Sequence, residues 1–105
     1  MITNLTVNEL NKVMRDDFLP NLLDLYETAA HKLNITLKKG EVYDCSKIYI
    51  SENIYKFFAK KAQEQDDRDG RVNLNMLLLF AGPKVSEDLK DYEIEFDKNA
   101  IKKGE

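Results

Sequence analysis

The chain has 105 residues, and its 16 basic and 19 acidic side chains give a formal net charge of −3. That length suits one compact domain, and 43% hydrophobic with 33% charged residues excludes a disordered or fibrous chain. The longest apolar run, Met76 to Ala81, is far below the ~20 residues of a membrane span.

Met1-Ile-Thr-Asn-Leu-Thr6 has neither the basic start nor the apolar stretch of a signal peptide, so no membrane partner is expected. The single cysteine, Cys45, excludes an internal disulfide framework and a cysteine-rich zinc site, which points to the reducing cytoplasm. Thirteen basic residues are lysine and nine residues are asparagine. Their codons are AT-rich, a bias expected of an AT-rich bacterium, its bacteriophages or its mobile elements.

Thr6 followed by Glu9 forms a capping-box pattern at the first helix. Val7, Leu10, Met14 and Phe18 then recur at helical spacing. Asp16 and Asp17 close that segment, and Pro20 fits the first turn of a second helix over about 20–33. Leu22, Leu25, Tyr26, Ala29, Ala30 and Leu33 form its apolar face, with Asp24, Glu27 and His31 opposite. Asn34 suits the left-handed position that ends a helix.

Between Ile35 and Ile50 the pattern changes to short strands, with a turn at Lys38-Lys39-Gly40. Ser51 is placed to cap a third helix over about 52–65, whose stripe is Ile54, Phe57, Phe58 and Ala62. Asp66 to Gly70 reads as a loop. Leu74 to Ala81 is apolar nearly all round, so it reads as a helix central to the fold or at an interface, with a buried strand as the alternative, stopped by Gly82-Pro83. A helical turn is expected at Ser86 to Leu89, a strand over 92–96 where Tyr92, Ile94 and Phe96 alternate with Glu93 and Glu95, and a flexible tail over 99–105.

The sum is an α+β fold over residues 1–98, mainly helical, with three or four helices packed on a small antiparallel sheet. The expected core is Leu10, Met14, Phe18, Leu22, Leu25, Leu33, Ile54, Phe57, Phe58, Leu74, Leu77, Leu78 and Phe80.

No constellation carries catalysis. His31 is the only histidine and nothing in its spacing pairs it with Cys45. Ser46 and Ser51 lack the glycine-rich elbow of a nucleophilic serine. Gly40, Gly70, Gly82 and Gly104 are too scattered to cradle a phosphate. Asp67 to Asn73 shares part of the EF-hand calcium-loop spacing, yet Gln65 and Met76 stand where the terminal carboxylates belong. Neither metal nor cofactor is expected, and the chain reads as a non-enzyme.

Two charged regions remain. Glu87, Asp88, Asp91, Glu93, Glu95 and Asp97 stand against Lys90 alone, a balance of −5 that suits docking to a protein with a basic surface. Residues 36–65 lean the other way, with Lys38, Lys39, Lys47, Lys56 and Lys60 available for phosphates. The expectation is a small non-enzymatic protein-binding module (an adaptor, inhibitor or assembly factor) encoded by a phage or mobile element. The alternative is a nucleic-acid-associated regulator using the lysines. Leu74–Ala81 adds a route to a homo-oligomer.

Overall fold

Helix starts in this chain are set by side chains that replace missing intrahelical hydrogen bonds. In the computed structural model, which describes residues 1–14, 19–65 and 69–104, the Glu9 N–H donates to Thr6 Oγ1 at 3.1 Å. The Thr6 N–H donates back to Glu9 Oε1 at 2.8 Å. This reciprocal cap opens α1 (Val7–Lys12). Asn21 Oδ1 accepts from the Asp24 N–H at the head of α2 (Leu22–Lys32). Ser51 Oγ accepts from the Ile54 N–H at the head of α3 (Glu52–Gln65). Asn34, at φ 59°, takes the left-handed conformation behind α2.

The last helix, α4, spans Asp69–Ala81. A Cβ at Gly82 would lie 2.6 Å from Leu78 Cα, so only glycine permits this tight departure from the helix.

The strands are β1 (Ile2–Asn4), β2 (Glu41–Tyr43), β3 (Ile48–Ser51), β4 (Lys84–Ser86), β5 (Glu93–Phe96) and β6 (Ile101–Lys103). Four form a sheet in the order β1-β5-β3-β4, and β2 pairs separately with β6. The fold is α+β, as expected. The sheet is mixed, however: β5 runs antiparallel to β1 and β3, whereas β4 is parallel to β3. The helices α3 and α4 lie between β3 and β4 in the chain, and a parallel pair requires such a long crossover.

Alternation along β3 and β5 sends Ile48, Ile50, Ile94 and Phe96 into the core. There they join Leu25 and Ala29 of α2, Ile54, Phe58 and Ala62 of α3, and Leu74 of α4. Burial of the leucine, isoleucine and phenylalanine side chains stabilises each by roughly 1.5–3 kcal/mol relative to exposure.

Several local expectations are corrected. Val7 is exposed, because α1 ends at Lys12 and its buried positions are Leu10 and the cap residue Val13. Phe18, Asp16 and Asp17 lie outside the described residues. Pro20 precedes the cap of α2 rather than opening the helix. It bridges back to Met14, while the Asn21 N–H donates to the Val13 carbonyl at 2.7 Å. Asp69 and Gly70 are helical: a glycine weakens a helix by about 1 kcal/mol without forbidding it. Residues 66–68 lie outside the described residues.

Lys84–Ser86 is a strand, and the expected helical turn after it is a turn in which the Asp88 N–H meets Ser86 Oγ. The tail is also paired. Ala100 is buried, the Asp44 N–H donates to its carbonyl at 2.7 Å, and β6 runs antiparallel to β2. Phe80, expected in the core, is 77% exposed.

Candidate functional site

Because β5 sends Ile94 and Phe96 inward, Glu93 and Glu95 stand on the opposite face of the sheet. Cross-strand register sets Glu95 between Ile2 of β1 and Tyr49 of β3, with Lys84 of β4 next in the row. Glu93 lies opposite Asn4, and its Oε1 accepts from the Lys90 N–H at 2.6 Å. Glu87, Asp88 and Asp91 are exposed on the turn leading into this strand. Asp97 leaves its far end, accepting from the Asn99 N–H.

The acidic turn is held from beneath. Buried Ser51 donates its hydroxyl to the Asp91 carbonyl at 2.6 Å while capping α3, and Asp91 sits at φ 48°. Among the described residues, none of the six carboxylates has an ion-pair partner. The six therefore occupy one strand and its flanking turns, a local excess of negative charge with Lys47, Lys84 and Lys90 beside it.

The lysines are distributed differently. Lys38 and Lys39 are exposed ahead of β2, Lys47 ends the 3₁₀ turn Cys45–Lys47, and Lys56 and Lys60 are exposed on α3. The Lys47 carbonyl accepts from the Asp97 N–H at 3.0 Å, which sets this lysine beside the end of the acidic strand. The five thus belong to three separate segments.

The polar residues of interest mostly have structural work. Ser46 donates through both its N–H and its hydroxyl to Asp44 Oδ1, at 3.1 and 2.6 Å. The Ser46 hydroxyl, aided by its N–H, Lys102 and Lys47, outweighs partial desolvation and holds the Asp44 carboxyl below its ordinary pKa. Cys45 is half-buried between them.

A polar cleft of about 500 Å³ lies between α1 and α2, lined by Glu9, Lys12, Asp24, Glu27, His31 and Lys32 among others. Lys32 Nζ spans it, donating to Glu9 Oε1 at 2.8 Å and to the Asn4 carbonyl at 2.6 Å. Desolvation pushes Glu9 upward, but Lys32 and the Thr6 N–H and hydroxyl together hold it below its ordinary value. Among the described residues, no hydroxyl or thiol is hydrogen-bonded to His31.

The apolar signal in Leu74–Ala81 resolves into two parts. Leu74 is fully buried and Leu78 packs on the core, whereas Met76 is 52% exposed and Leu79 and Phe80 are each 77% exposed. Beside them runs a groove of about 480 Å³ between α2, β2 and α4, walled by Leu22, Leu23, Tyr26, Val42, Leu77 and Ala81. Burial, with Cys45 nearby, pushes the Tyr26 phenol well above its ordinary pKa, and its hydroxyl has no hydrogen-bond partner among the described residues. Sequence reading missed the groove, because it joins residues more than 50 positions apart.

No helix among the described residues is long and apolar enough to cross a membrane, and no group of three or more potential metal-ligating side chains gathers among them. No family model, curated protein or solved structure matches the chain. The chain is an α+β protein with a mixed four-stranded sheet. It carries an acidic outer face at one place and an apolar helix face at another.

Proposed function

We propose that this chain is a non-enzymatic protein-binding module, an adaptor, inhibitor or assembly factor of a phage or mobile element, acting in the cytoplasm. Its docking face for a basic partner is the acidic strand β5 with its flanking turns. The observation that carries this reading is the set of six carboxylates between Glu87 and Asp97 without ion-pair partners among the described residues.

Rigid presentation supports it. Glu93 and Glu95 stand on a central strand, and Ser51 pins the turn that carries Asp91. Backbone held in this way needs little ordering on binding, and the charges it carries steer a cationic surface toward it.

The test is a capture experiment with wild-type protein and the double variant Glu93→Lys/Glu95→Lys in lysate of an AT-rich bacterial host. The expected outcome is one protein retained by the wild type in a salt-sensitive, stoichiometric complex and lost at least tenfold in the variant. Equal retention by both forms refutes the acidic face as the docking site. A gel shift of nucleic acid at low salt that disappears with Lys56→Glu/Lys60→Glu would transfer the function to the lysines.

A further inference from the structure

Water is a poor neighbour for Met76, Leu79 and Phe80, and for Leu23 and Val42 on the rim of the adjoining groove, all of them more than 40% exposed. Together they expose on the order of 500 Å² of side-chain surface, as much as the largest apolar patch of an ordinary monomer, which is often functional. We infer that this surface is covered by a second copy of the chain, in a two-fold dimer in which the Phe80 knob of each protomer, flanked by Met76, seats in its partner's groove.

Three observations favour a second copy over an unrelated partner. The first is that knob and hole occur on the same chain and share α4. Leu77 and Ala81 form one wall of the groove, and Phe80 follows Leu77 by three residues on the adjoining side of the helix. A two-fold axis beside α4 therefore satisfies both knobs and both holes at once and closes the assembly.

The second is charge. Residues 73–81 contain no ionisable side chain in a protein of which 33% is charged. Two-fold pairing sets each patch against its own copy, where like charges repel. A charge-free face suits that arrangement, whereas a heterologous contact is free to use opposite charges.

The third is area. A standard interface buries about 800 Å² per partner, and in homodimers about 65% of it is apolar. The exposed side chains of Met76, Phe80, Leu23 and Val42 supply most of that apolar share.

This dimer uses a different surface from the acidic docking face and stands or falls separately from it. Sedimentation equilibrium of the full chain over a range of concentrations tests it, with circular dichroism confirming that each variant is folded. Wild type is expected to approach twice the 12.2 kDa chain mass. Phe80→Glu and Leu23→Lys should each remain monomeric, and an equimolar mixture of the two should recover the dimer. In the mixture one seat keeps its native contact and the other gains an opposite-charge pair.

Wild type that stays monomeric throughout overturns the inference, as does mass that grows without closing at two chains. A dimer that survives either single variant overturns the knob-in-groove seating, and a mixture that stays monomeric does the same. Misfolded variants cannot mimic rescue.

Discussion

Helices α3 and α4 are nearly equal in length, pack against each other and bury one stripe each, yet their outer faces have opposite character. On α3, the positions away from Ile54, Phe58 and Ala62 are Glu52, Asn53, Lys56, Lys60, Gln63 and Glu64, all exposed. On α4, the positions away from Leu74 include Met76, Leu79 and Phe80, also exposed. Folding accounts for the whole of α3, because its apolar residues are where the core needs them. It accounts for only half of α4, whose outer side chains contribute little to the protomer's own core. The difference separates residues kept for the fold from residues available to a second molecule.

The largest test of that separation is Phe58→Ala. Phe58 is fully buried on α3, and its truncation leaves a cavity expected to cost about 3–5 kcal/mol in urea denaturation. A loss below 1 kcal/mol would break the assignment of α3 to the core. Ser51→Ala comes next. It strips the Ile54 N–H and the Asp91 carbonyl of one buried partner, and a loss of about 2 kcal/mol is expected from the cap and the unsatisfied groups. The same variant should speed amide exchange across Glu87–Tyr92, since the acidic turn loses its tether. The smallest effect belongs to Phe80→Gln, expected to alter the stability of dilute protomers by less than about 0.5 kcal/mol. A loss comparable to that of Phe58→Ala would mean that the outer face of α4 serves the fold after all.

How much of this was legible in sequence depends on how local each determinant is. The caps at Thr6 and Ser51, the left-handed Asn34 and the stop at Gly82-Pro83 depend on residues within one turn, and sequence reading placed all of them. The alternation through Ile94 and Phe96 likewise placed β5. Strands β1, β4 and β6 have three residues each and exist through their partners. Their own apolar pattern is too short to register, so pairing decides them. Phe80 failed for a related reason: its helix is apolar all round, and nothing within it indicates which side meets the core. The acidic residues were visible as composition, but their arrangement on an open sheet face, braced by Ser51, required the register of β5 between β1 and β3.

The strand order carries one more consequence, for synthesis of the chain. β1 and β3 do not touch in the sheet; β5 lies between them and is translated after both. A nascent chain therefore carries one unpaired edge on β1 and one on β3 until β5 has been made. Completion of the main sheet therefore waits on one of the last strands of the chain, and a message cut short before Glu93 leaves β1 without its partner in the sheet.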